Sequence, residues 1–180
     1  MTGRPRVAVV GGGMSGIACA ERLHAAGVEV VVIDRGHRLG GRMATRTMRG
    51  TGLPYDGRVV DVDVGASYLT ASSEAFGELV SAWAARDLVV PWTDRFHVSD
   101  RDGLDGSVPG PVRYAAPGGL RGLVEDLAAD LPVVIAPRSV EDVVRDGGGV
   151  LVDGEHYDVV VLAMPGPQAA DLLADDDPAL

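Results

Sequence analysis

The sequence predicts an α/β protein with a parallel sheet, a small β-meander and part of a second domain inserted into the chain. Three observations carry that expectation. The apolar run Val7 to Val10 lacks alternation and is followed by glycines, a helical stretch and a β-branched run at 28–33 that closes on Asp34. Strands buried on both faces of a parallel sheet read this way, because neither face needs polar residues. Short apolar runs return at 133–136 and 157–165, and between them 139–157 turns at "DGGG" (146–149) and "DG" (153–154), as a meander would.

Taken in order, Val7–Val10 is the first strand. From Met14 to Ala26, Met14, Ile17, Ala18, Leu23 and Ala26 recur at helical spacing around Glu21 and Arg22, and Gly27 supplies a stop. Residues 28–33 return to strand, completing one βαβ unit. Residues 35–58 are rich in glycine and arginine and read as loop with one helical turn. The strict alternation of 59–64 reads as a half-exposed strand. "SSEAFGELVSAWAARDL", 72–88, has an N-cap serine and apolar Phe76, Leu79, Val80, Trp83 and Ala84 at helical spacing. Residues 89–98 read as strand interrupted by Pro91, 99–111 as a Gly/Pro/Asp loop, and 118–131 as an amphipathic helix. The acidic tail "ADDDPAL" is expected to fray.

Composition removes several chemistries. Apolar residues make up 46% of 180, enough for a core, and 26 acids against 16 bases give a net charge of −10, which argues against a nucleic-acid partner. All the bases are arginines. Without lysine there is no Schiff base and no Walker-type phosphate loop. One cysteine, Cys19, allows no intrachain disulfide and fits a reducing, cytoplasmic setting. The first apolar run is too short for a signal peptide, and no stretch approaches the roughly 20 apolar residues that span a bilayer, so a membrane is not an expected partner. Four scattered histidines give no metal spacing. His24 and His37 read as surface residues, His97 and Cys19 as ordinary packing.

Gly11, Gly13 and Gly16 form G-x-G-x-x-G between a strand and a helix. The first allows a tight turn, the second lets backbone approach a pyrophosphate, and the third lets helix and strand pack closely. N–H groups at the helix start then face the anion, with the Ser15 hydroxyl beside them. Asp34 follows Gly16 by 18 residues at a strand end, where an acid bonds a ribose hydroxyl and repels a 2′-phosphate. This Rossmann-like pattern suits NAD or FAD alike. In "RLGGRMATR", 38–46, two glycines bring backbone toward a ligand and Arg42 supplies charge. The competing reading is a basic helix face through Arg38, Arg42 and Arg46, which the two glycines would weaken by about 1 kcal/mol each.

"GGGMSG", "IDR" and "GGRMATR" together resemble the FAD-binding start of the flavin amine oxidoreductase superfamily. "DVGASYLT" (63–70), "YAAPGGLRGLVEDLA" (114–128) and "YDVVVLAMPGPQAADLL" (157–173) resemble segments of its renalase-like proteins, in the same order. The resemblance implies FAD as cofactor and hydride transfer from an amine or a reduced nicotinamide to the flavin. It places Gly11, Gly13, Met14, Ser15 and Gly16 at the pyrophosphate, Asp34 at the ribose with Arg35 beside it, and Gly41, Arg42 and Met43 along the pyrophosphate. Ser67 and Tyr68 match a flavin-flanking pair, with serine where the family has glutamine, and Val140 matches a position whose backbone meets the adenine. No catalytic base is identified, and no metal is expected.

The implied organisation is an FAD-binding βαβ unit with its double-glycine segment at 1–70 and part of a substrate domain at 71–113. A return to the FAD domain follows at 114–165, and a truncated substrate-domain segment or tail at 166–180. Relatives continue well past the "MPGPQ" segment, so the expectation is a fragment, or a second chain that supplies the rest. Two other readings stay open: a non-catalytic FAD- or nucleotide-binding fragment, and a nicotinamide-dependent dehydrogenase, against which the double-glycine segment argues.

Overall fold

The computed structural model describes residues 3–50, 52, 59–101, 103–129, 131 and 134–173. The acidic tail, 174–180, lies outside them. Two compact units divide the chain: Met1–Gly41 with Val124–Leu180, and Arg42–Leu123.

The first unit is built on a four-stranded parallel sheet in the order β11-β1-β2-β7, with β1 at Arg6–Val10, β2 at Glu29–Asp34, β7 at Val134–Pro137 and β11 at Val159–Leu162. Helix α1, Met14–Ala25, crosses from β1 to β2. Ala8, Val9, Val32 and Ile33 are fully buried, which explains why these strands show no alternation. Gly27 ends α1 in the left-handed region (φ 82). It donates to the His24 carbonyl at 2.8 Å while Val28 donates to Leu23 at 3.1 Å, a Schellman closure that only glycine adopts without strain.

The meander comprises β8 (Val143–Asp146), β9 (Gly149–Val152) and β10 (Glu155–Tyr157). Its turns fall at Gly147 (φ 58) and at Asp153–Gly154 (φ 50 and 82), where "DGGG" and "DG" place them. Val143, Val152 and Tyr157 pack on Ala8, Val31 and Ile33, so the meander covers one face of the sheet. The expected strand at 157–165 divides: Tyr157 closes the meander, and only Val159–Leu162 joins the sheet. A short helix, α4 (Gly166–Ala170), follows.

The second unit contains two antiparallel hairpins and the helix α2 (Glu74–Ala84). Ser73 caps α2, accepting the Phe76 N–H at 3.4 Å, and Trp83 and Val80 are its buried face. The helix stops short of residue 88 because Asp87 turns left-handed (φ 57) and Leu88 bonds back to Trp83. One hairpin pairs β3 (Thr45–Met48) with β4 (Val60–Asp63). The loop expected over 35–58 thus holds a strand, stabilised by Thr45 and Thr47 hydroxyls that each donate to the aspartate opposite, Asp63 and Asp61, at 2.7 Å. The other hairpin pairs β5 (Val90–Asp100) with β6 (Gly103–Ala115). The loop expected at 99–111 is largely strand. In a two-stranded ribbon every strand has a free edge, so Pro91, Pro109 and Pro111 fit where a central strand would exclude them. The register shifts at three places along that pair. Helix α3, Arg121–Ala128, begins in this unit. Among the described residues no helix is long and apolar enough to cross a membrane.

Candidate dinucleotide site

Strand order changes direction at β1: β2 and β7 lie to one side, β11 to the other. The crevice at the carboxyl ends of β1 and β11 is therefore the switch point at which open α/β sheets bind ligands. Gly11 follows β1 there with φ +113 and donates to the Ile33 carbonyl at 2.8 Å. A Cβ on Gly11 would lie 2.7 Å from the Ala163 oxygen at the end of β11, and one on Gly16 would overlap the Gly11 carbonyl. The turn and the first turn of α1 can pack this closely only as bare backbone. Gly13 caps α1 with no side-chain bond, and no acid occupies the first turn. The leading N–H groups of a helix have no intrahelical partner, so Met14, Ser15 and Gly16 present donors and a positive dipole end to an anion.

Asp34 organises this turn. Its Oδ2 accepts the Gly12 N–H and its Oδ1 the Gly36 N–H, both at 2.6 Å. Each oxygen retains a lone pair, so a ribose hydroxyl can still be received. Arg35 beside it is exposed.

The second glycine motif lies directly on the first. Gly40 donates to the Gly12 carbonyl at 2.9 Å and pairs with Gly13 in a parallel bridge. A Cβ on Gly41 (φ +50) would stand 3.3 Å from the Gly13 Cα, and one on Gly12 would meet the buried Leu39 at 2.5 Å. Two segments separated by a helix and a strand thus form one surface of backbone amides. Arg42 and Met43 continue in the same 3-10 turn as Gly41. The Arg42 side chain is exposed and has no ion-pair partner among the described residues. The basic helix face does not form: Arg46 lies in β3, and Arg38 makes a bidentate pair with Glu125 at 3.0 and 2.9 Å. Val140 is half-buried and packs against the core cluster of Ala8, Val31, Ile33, Val143, Val152 and Tyr157. A pyrophosphate fits this donor set; a Cβ at 11 or 16 would displace the backbone that forms it, and one at 12 would push on the Leu39 and Asp34 side chains. Sequence reasoning read Gly40 only as half of a double glycine facing a ligand and assigned no role to Gly12 or Ala163; the Gly40–Gly12 bond and the place of Ala163 beside Gly11 come from pairing between distant segments.

Ser67 and Tyr68 belong to the second unit, and both are exposed. A Cβ on Gly65 would overlap the Arg42 carbonyl, which accepts the Ala66 N–H at 2.9 Å. Asp63 accepts both the Thr45 hydroxyl (2.7 Å) and the Leu120 N–H (2.9 Å), fixing the Pro-Gly turn that precedes α3. Leu69 and Tyr114 exchange backbone bonds at 3.0 and 2.9 Å and bring Tyr68 beside the β5–β6 ribbon. There its ring lies 6.1 Å from Trp92 and 6.0 Å from Phe96. His97 is exposed on the same ribbon, as are His24 and His37 elsewhere, and Cys19 is half-buried in α1. No cluster of three metal-ligating side chains occurs among the described residues.

Residues 9–83 match the family model of the NAD(P)-binding Rossmann-like domain. Over 138 residues the chain is 30% identical to amine oxidase [flavin-containing] B of Canis lupus familiaris, a match that covers 73% of this chain and 25% of that protein. The chain is thus similar in sequence to a flavin-containing amine oxidase. It spans about a quarter of the length of that relative. In fold it is similar to a putative protoporphyrinogen oxidase from Exiguobacterium sp. 255-15, with TM-score 0.71 and 16% identity over 97% of this chain and 62% of that one. It is also similar to cyclohexylamine oxidase from Brevibacterium oxydans IH-35A, with TM-score 0.66 and 15% identity over 94% and 60%.

Proposed function

We propose that the chain carries the FAD-binding part of an oxidoreductase acting on an amine or a reduced nicotinamide, in the manner of renalase-like proteins. The observation that supports this most is the double-glycine segment hydrogen-bonded onto the first glycine turn through Gly40 and Gly12. A nicotinamide site needs only the first turn. Bound FAD would supply the acceptor for a hydride leaving the carbon beside the substrate nitrogen.

The chain's own residues bind and orient. Amides of Met14, Ser15 and Gly16 hold the pyrophosphate, Gly41, Arg42 and Met43 line it, and the Arg42 guanidinium offsets its charge. Asp34, with Arg35 beside it, receives the ribose hydroxyl and disfavours a 2′-phosphate. Val140 presents backbone to the adenine. Ser67 and Tyr68 flank the flavin. The lone Cys19 supports a reducing, cytoplasmic setting.

The description of the matched family model favours a second reading, a nicotinamide-dinucleotide site without flavin. Visible absorbance and flavin content of the chain after gel filtration separate the two. Stoichiometric yellow protein is expected. Folded, colourless protein that rejects added FAD and binds NAD supports the second reading.

A further inference from the structure

The second unit holds a ring cluster of which the proposed flavin site uses only Tyr68. Tyr68, beside the β5–β6 ribbon, and Trp92 and Phe96, on β5, lie 6.0–6.3 Å apart, centre to centre. Two of the rings are open to solvent: Tyr68 is 40% and Trp92 57% exposed. Such a cluster normally attracts a cation, because ring faces carry negative quadrupole charge. Here that position is already taken. The Arg113 guanidinium carbon sits 3.3 Å from the Phe96 centroid and 5.5 Å from that of Tyr68.

Arg113 is held, and no carboxylate among the described residues neutralises it. Its Nε is buried without a hydrogen-bond partner, and its Nη1 reaches only the Pro111 carbonyl at 3.3 Å. Among the described residues it has no carboxylate, although the chain carries 26 acids and 16 bases. A fixed guanidinium that has no carboxylate partner among the described residues, set beside open rings, repels an incoming ammonium and attracts an anion, most strongly a planar carboxylate that matches its fork.

We propose that this face of the ribbon binds a planar ring carrying a carboxylate, with Tyr68 and Trp92 against the ring and Arg113 holding the anion. A single arginine suits a monoanion better than a phosphate dianion. Calling that ligand the substrate rests on the proposed function, and the substrate would then be an anion-bearing aromatic amine and not a bare one. The binding itself does not need flavin.

The test is calorimetric titration of the flavin-free chain with three indoles that differ in charge: indole-3-acetate, indole and tryptamine. Indole-3-acetate is expected to bind about tenfold or more tightly than tryptamine, the scale of one charge-assisted contact. Arg113→Gln is expected to bring it to the level of indole, and Trp92→Leu to weaken all three. Tryptamine binding as well as indole-3-acetate, or no binding of any of the three, overturns the site even if Arg113→Gln fails to fold. Indole-3-acetate binding that survives in a folded Arg113→Gln does the same. A chain that takes up no FAD but keeps the charge order retains this site and loses only the assignment of its ligand as substrate.

Discussion

The N–H of Gly40 donates to the carbonyl of Gly12 at 2.9 Å, and this bond joins the two glycine motifs of the chain into one surface. Gly41 reinforces the contact, since any side chain there would press on Gly13. The candidate anion site is thus formed by backbone from three stretches: the turn after β1, the start of α1 and the segment after β2. Glycine is required at Gly11 and Gly16, where an added Cβ would run into backbone.

Gly16→Ala should destabilise the chain by about 1–3 kcal/mol, the usual penalty of forcing atoms into a packed site. The added methyl would overlap the Gly11 carbonyl. Gly77→Ala in α2 is the contrasting substitution, because its Cβ would meet nothing within 4 Å. It should raise stability by about 0.5–1 kcal/mol through helix propensity. Thermal denaturation of the two variants should shift in opposite directions.

Asp34→Asn should lower stability by about 1–3 kcal/mol, because an amide cannot accept with both atoms. One of the two N–H groups, from Gly12 or Gly36, would face an NH2 donor. Urea unfolding of the flavin-free chain isolates this effect from any loss of ribose contact.

Arg42→Gln should behave differently. The side chain is exposed and unpaired among the described residues, so stability should stay within about 0.5 kcal/mol. FAD affinity should fall about tenfold, the value of one charge-assisted hydrogen bond. Equilibrium titration beside a melting curve reads both quantities.

The pH dependence of stability should be set partly at the far end of β1. The Arg6 guanidinium, bonded to Glu155 at 2.6 Å, holds that carboxyl below its ordinary value of 4.5. Burial pushes the Tyr157 phenol above its ordinary 10.0. A depressed carboxyl stabilises the fold above 4.5, and that contribution is lost as pH falls through the lower folded value. A raised phenol stabilises the fold below 10.0 and is lost as pH rises past it toward the folded value. Melting temperatures across pH should show both shoulders. Glu155→Gln should remove part of the acid one, and Tyr157→Phe the basic one.

The sheet and the first turn were legible because each rests on local pattern. Val7–Val10 and 28–33 lack alternation, Gly27 stops α1, and Asp34 closes β2. The β5–β6 ribbon was half hidden, since Pro109, Pro111 and four glycines in 103–118 read as loop when strand pairing is not known. Strand β3 was hidden in arginine-rich chain, although Thr45 and Thr47 alternate in register with Asp63 and Asp61. Contacts between Gly40 and Gly12, or Gly11 and Ala163, depend on register across distant segments, and no local signal announces them. The same holds for Arg113, whose place over Phe96 depends on how β5 and β6 pair.

The most direct measurement is the amide spectrum of the isotopically labelled chain during titration with FAD. If the two motifs form one cradle, the resonances of Met14, Ser15 and Gly16 should move together with those of Gly40 and Gly41, with one apparent affinity. A folded chain in which FAD moves only one of these segments, or neither, would contradict a shared site.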